Sequence, residues 1–288
     1  FVEANGGWDP LCAFAPLFGS PYIDMEAEAR PMTIGRFNLV DHPGRPQVKR
    51  YFERWGNDTV LLNGLSTRSV AHEVCSLISM TGDASGSKPD WPTLIARHGR
   101  LDYSLPSLVM GGSSYPGDWE ALTTRAGDSG QLNALIHSYV ADGTDMPVEP
   151  RIDGLQSRLD RFVLGRIQRG AEQQRSTAIR QLYSDMATSL ERSMQLKALS
   201  DDLPLETDGL VEQSQSAVIA LSRGLTRCVT ITDNADWDTH EDNRLQTEAF
   251  NQLFSGLNGL MSLLKNTTGP TGRPLMETTT VVVLSEMG

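Results

Sequence analysis

The chain has 288 residues, 39% of them hydrophobic, a mean hydropathy of -0.29 and a net charge of -11. That length can bury one large core, or one core with an insertion, and the composition is that of an ordinary soluble globular protein. The acidity, with no compensating basic stripe, argues against a nucleic-acid backbone as partner. The longest apolar runs fall far short of the ~20 residues that span a bilayer.

Residues 1–9 read as a strand, and Pro10 to Pro46, rich in Pro and Gly, as a long irregular connection. Val48 to Trp55 reads as a short helix. Thr59-Val60-Leu61-Leu62-Asn63-Gly64-Leu65 reads as a second strand ending in a turn. Val70, Val74, Leu77 and Ile78 share one helical face, so a helix is expected from Val70 to Met80. A Gly/Ser loop, a helix from Trp91 to His98 and a short strand Leu108-Val109-Met110 follow.

From Ile152 to about Leu199, Gln, Arg and Leu dominate, with apolar residues at helical spacing. This predicts a helical insertion of about 152–199, or equally two ordinary crossover helices. An acidic loop spans Asp201 to Asp208. A helix from Val211 to Arg227 leads into the strand Cys228-Val229-Thr230-Ile231. A long helix from Glu241 to Lys265, a Gly/Pro loop and a last strand complete the chain. The pattern predicts an α/β domain over 1–288 with a mostly parallel sheet flanked by helices.

Three of the predicted strands run into a carboxylate: Asp9 after Asn5-Gly6-Gly7-Trp8, Asp238 in Trp237-Asp238-Thr239-His240, and Glu286 in Ser285-Glu286-Met287. Open α/β sheets place their chemistry just beyond the carboxyl ends of parallel strands. Carboxylate oxygen with imidazole nitrogen suits a divalent ion, whether Zn, Mn, Mg or Ca. Asp9, Asp238, His240 and Glu286 are therefore candidate metal ligands, with Asp236 in competition. The bland alternatives stand beside them: Asp238 and His240 cap the next helix, Asp9-Pro10 opens a turn, and Glu286 is a cap.

His72 lies near a predicted helix start behind Ser66-Thr67-Arg68-Ser69. Hydroxyls at a helix N-terminus suit an anion, and Arg68 suits bidentate contact with phosphate or sulfate. Otherwise Ser69 is the N-cap and His72 packs. His42, His98 and His137 lack carboxylate company and read as surface or structural. Gly111-Gly112-Ser113-Ser114 has no downstream Lys and does not make a phosphate loop. Cys12, Cys75 and Cys228 are far apart, with no Cys-x-x-Cys, which argues against a disulfide framework.

Taken in order, Gly6-Gly7-Trp8-Asp9, His72 through Thr81-Gly82, Asp90-Trp91-Pro92, Trp237-Asp238-Thr239-His240 and Ser285-Glu286-Met287-Gly288 resemble the bacterial family known as domain of unknown function 1501. That family is a branch of the alkaline phosphatase superfamily. The resemblance implies a sulfatase-like sheet, strand-end metal ligands and export to the periplasm or cell exterior behind a twin-arginine leader. Phe1 begins in mid-strand and Gly288 follows a candidate ligand, so both ends are expected to be cut.

Related hydrolases carry their nucleophile ten residues before the Gly of a Thr-Gly pair, and here that position is His72. Three readings stay open: His72 is a nucleophile or a ligand, Ser69 or Thr67 has taken over, or hydrolysis is lost. Where the superfamily has Asp-His, this chain has Glu286-Met287. The expectation is an exported metal-dependent hydrolase of small-molecule or polymeric phosphate or sulfate esters. The alternative is a non-catalytic exported scaffold that keeps the fold.

Overall fold

Five short strands, all paired in parallel, form the main sheet: β1 (Val2–Ala4), β4 (Leu105–Val109), β5 (Thr123–Arg125), β6 (Thr226–Asp233) and β7 (Val283–Ser285). Their order is β5-β4-β6-β1-β7. The computed structural model describes residues 1–99, 103–126, 153–197, 209–240 and 242–287. β6 reads Thr226-Arg227-Cys228-Val229-Thr230-Ile231, a run rich in β-branched residues, and all but Arg227 are buried. A parallel strand covered on both faces needs that composition.

Helices flank the sheet. α1 (Pro46–Trp55) turns Val48, Tyr51, Phe52 and Trp55 inward. α2 (His72–Thr81) and α3 (Trp91–Arg97) follow, α3 packing on β4 and β6. α6 (Leu210–Ser222) leads into β6, and α7 (Gln246–Asn266) packs on both α1 and α6. α7 buries Phe250, Leu253, Phe254, Leu257, Leu260 and Leu264, the 3–4 spacing of a core-facing helix. Its Gly256 allows close approach, because a Cβ there would lie 2.4 Å from Leu210 Cδ2.

The 152–199 region forms two helices, α4 (Asp153–Gln173) and α5 (Thr177–Lys197), packed on each other. They meet where Gly170 fits under the Tyr183 ring. The hairpin's main contact with the body is through α5, on the turn Gly117–Leu122 that joins β4 to β5. Arg192 Nη1 donates to Ala121 O there at 2.6 Å. Among the described residues, none of the hairpin's joins the site described below.

Three expectations need correction. Residues 59–65 form no strand: Val60, Leu62 and Leu65 are exposed, and no ladder partner lies alongside them. The connection from Pro10 to Pro46 holds an antiparallel hairpin, β2 (Arg30–Ile34) with β3 (Phe37–Asp41), which turns at Gly35. Asp242, not Asp238 or His240, caps the start of the post-β6 helical segment, accepting from Arg244 N. His137, Glu241 and the acidic loop 201–208 lie outside the described residues. No helix among the described residues is long and apolar enough to cross a membrane.

One strand residue breaks the apolar pattern. Glu3 in β1 is 2% exposed between the buried Val2 and Ala4. Its Oε2 accepts from Ser113 N at 2.9 Å, and its Oε1 has no partner. Gly112, with φ +83, passes so close that a Cβ would meet the Glu3 carboxyl at 2.9 Å.

Candidate metal centre

The loops that leave β1, β6 and β7 at their carboxyl ends come together with the first turn of α2. Gly6 and Gly7, at φ 121 and 92, make this possible. A Cβ on Gly6 would sit 2.7 Å from Asp238 N, and one on Gly7 would sit 2.9 Å from Met287 Cβ. The two glycines therefore let the β1 loop thread between the other two loops.

Beneath the loops lies an aromatic platform. Trp237, 1% exposed, stands edge-on to Phe250 at 4.9 Å, and Trp8 stacks on the same ring at 6.2 Å. Trp237 Nε1 donates to Asp233 Oδ2 at 3.1 Å, and burial pushes the Asp233 carboxyl up to about 6 despite that bond.

Buried Gln246, at the start of α7, ties the loops together. Its Oε1 accepts from Asp9 N at 2.6 Å, and its Nε2 reaches Trp237 O, Thr239 Oγ1 and Gly7 O at 2.9, 3.0 and 3.1 Å. The sequence pattern does not single this residue out, because a Gln at a helix start carries no motif. The one available signal is its place beside Trp237-Asp238-Thr239-His240.

On this frame, Asp238 sits between two imidazoles. Its Oδ1 is 2.6 Å from His240 Nε2, and its Oδ2 is 3.5 Å from His72 Nε2. One donor atom from each of His72, Asp238 and His240 lies within 4.8 Å of the others. The opposite nitrogen of His72, Nδ1, is 2.5 Å from Glu286 Oε1, which also accepts from Gly6 N at 2.8 Å. The hydrogen bond to Glu286 raises the His72 pKa above its ordinary 6.5, with the nearby charge of Asp238 adding to the effect. A cavity of about 230 Å³ opens beside Asp238 and His240, lined also by Asp9, Asn243, Gln246 and Met287.

The structure thus brings His72, Asp238 and His240 to one point and places Glu286 behind His72. Asp9 lines the same cavity, but its oxygens are engaged in a cap: Oδ1 accepts from Leu11 N at 2.9 Å and Oδ2 from Asn243 Nδ2 at 3.1 Å. Asp236 is exposed and outside the three-residue group. Ser69 is not the N-cap of α2; that position is Ala71, whose N–H donates to Ser69 Oγ at 3.2 Å. Arg68 is exposed, in a left-handed backbone conformation with φ 55, and does not line the cavity.

Two imidazole nitrogens and a carboxylate oxygen are a donor set for zinc or a similar borderline ion, whereas calcium takes six to eight oxygens. Ligands of a four-coordinate ion with bonds of ~2.1 Å lie roughly 3.4 Å apart. The 3.5 Å between His72 and Asp238 matches that spacing. The 2.6 Å between His240 and Asp238 is a hydrogen bond that would have to lengthen, which is open to His240 with 76% of its side chain exposed. The residues fit the ion. No protein-family model matches the chain, and neither does any curated protein or solved structure.

Proposed function

We propose that this protein is a metal-dependent hydrolase, exported and acting on phosphate or sulfate esters, with an alkaline-phosphatase-like fold. The observation that carries the reading is the convergence of His72, Asp238 and His240 beyond the carboxyl ends of parallel strands. Glu286, first read as a ligand, has a different part in this scheme. By accepting from Nδ1 of His72 it fixes the tautomer and turns Nε2 toward Asp238, the outer carboxylate behind many metal-binding histidines. A zinc-like ion held by His72, Asp238 and His240 would polarise an ester oxygen and acidify water.

The chain's own groups divide the remaining work. Nδ1 of His72 is held by Glu286, which leaves Nε2, 3.5 Å from Asp238, as the nitrogen that can bind an ion; in this reading His72 is a ligand and not the attacking group. Asp238, the solvent-facing carboxylate of the group, can hold a proton from an attacking water. Among the described residues no Lys or Arg lines the cavity, so the side chains there offer an anionic ester no cationic partner of their own.

A second reading, a non-catalytic scaffold, draws support from the hydroxyls around His72. Ser69 Oγ accepts from Ala71 N, and Thr67 Oγ1 donates to Cys75 Sγ at 3.2 Å, so neither stands free as a nucleophile. One experiment separates the two. After zinc or manganese loading, the protein should hold stoichiometric metal and hydrolyse an aryl phosphate or aryl sulfate, and Asp238→Ala should lose both. Metal bound without turnover of either ester leaves the scaffold; no metal bound ends the hydrolase.

A further inference from the structure

The helical hairpin carries a net charge opposite in sign to that of the rest of the molecule. Residues 153–197 hold eight basic and five acidic side chains, a net +3, whereas the whole chain carries -11, leaving -14 on the remainder. One face of α4 is exposed and mixed in character. Leu155, Leu159 and Phe162 follow one another at i, i+4 and i+7, and Leu155 and Phe162 are 53% and 59% exposed. Arg158, Arg166 and Arg169 continue that face at helical spacing, and all three are exposed. α5 adds a second exposed apolar stripe at Ile179, Leu182 and Met186. The buried side of α4 lies elsewhere, at Asp160 and Ile167.

We propose that this hairpin binds the surface of an anionic membrane through the α4 face. An exposed helix face that mixes Leu and Phe with Arg matches a bilayer interface, where apolar side chains enter the acyl boundary and guanidinium groups meet headgroup phosphates. Each competing partner matches only half of the face. A nucleic acid would use the arginines and leave Leu155 and Phe162 in water. A second copy joined by a two-fold axis would bring the arginines of both copies, six in all, into one interface with no acidic partner among the described residues of that face. The acidic body strengthens the argument, because an anionic surface repels it and attracts the hairpin, so the protein arrives hairpin first. The proposal is independent of the metal centre, since no hairpin residue belongs to it.

The test is co-sedimentation of the whole chain with vesicles of phosphatidylcholine and phosphatidylglycerol, against phosphatidylcholine alone. Binding is expected to the mixed vesicles only and to weaken with salt. Replacing Arg158, Arg166 and Arg169 together by Gln should cut it about a hundredfold, about fivefold per arginine. Leu155→Ser with Phe162→Ser should abolish stable binding, and because these side chains are exposed, circular dichroism should report an unchanged fold. Equal binding to both vesicle types, or an arginine variant that binds as the parent does, overturns the proposal. So does a protein that ignores vesicles and sediments as a dimer dissociated by Phe162→Ser, which would assign the face to a second copy.

Discussion

Replacing Glu3 by Gln should make the protein more stable above neutral pH and flatten its dependence on pH. The Glu3 carboxyl is 2% exposed; its Oε2 accepts from Ser113, while Oε1 has no partner. Burial raises its pKa from 4.5 to about 7, against the lowering effect of the Ser113 bonds. The folded protein therefore holds a proton that the unfolded chain releases, and stability falls as pH rises from 4.5 to about 7. Across that gap the loss is about 3 kcal/mol. Gln keeps the acceptor for Ser113 N and removes the charge, but its amide nitrogen inherits the unpartnered position at a cost of ~1–3 kcal/mol. The variant should then be ~1–2 kcal/mol more stable at about pH 8, and level with or below the parent at about pH 5. Urea unfolding at a series of pH values reads this as two curves that cross. Curves that stay parallel would show that Glu3 is not the proton-holding group and refute the reasoning.

Other outcomes follow from the same geometry. Glu286→Gln should lower the His72 pKa, visible in the NMR titration of its ring, and weaken metal uptake by ~10–100-fold. In the metal-free parent, the stability gained from the Glu286–His72 pair should be full below about 6.5 and lost as pH rises through the raised His72 value. Metal uptake should show the opposite trend, failing as pH drops through that value, since the ligand must be neutral. Gln246→Leu should cost ~2–4 kcal/mol in chemical unfolding, because it strands Asp9 N and the carbonyls of Gly7 and Trp237. Gly256→Ala should destabilise by ~1 kcal/mol, the helix gain being outweighed by overlap with Leu210, and Leu210→Ala in the same chain should relieve it.

Much of the sheet was legible because its strands announce themselves. β6 is a β-branched run and β7 ends one, Thr278-Thr279-Thr280-Val281-Val282-Val283, and the carboxylates that follow them fall where strand ends should place function. α7 and the α4–α5 pair are long and periodic, so their existence and type were readable. The failures have physical causes. Thr59 to Leu65 has strand propensity, yet propensity supplies no partner, and a strand exists only as a ladder. β5 is three residues long, too short to show alternation. At the site, sequence order placed Asp238 and His240 together and singled out His72, but could not tell inner from outer positions. Glu286 stands behind His72, and Asp9 is occupied as a cap, because a carboxylate's role depends on which donors face it. The exposed Arg68 and the displaced Ser69 show the same limit: proximity in sequence to His72 did not place them at the cavity.

The position of β1 has a consequence for how the chain folds. Both neighbours of this strand come from late in the sequence, Val2 pairing with Ile231 in β6 and with Val283 in β7. Synthesis begins at the other end, so β1 emerges with neither edge partner in existence and must wait until residues 226–285 are available. The bond from Gly6 to Glu286 then closes a loop of 280 residues. Closing so distant a contact is entropically costly and slow, and a strand left waiting with both edges unpaired is open to association with other chains. The group of His72, Asp238, His240 and Glu286, which depends on those same two late loops, can assemble only after residue 286 has been made.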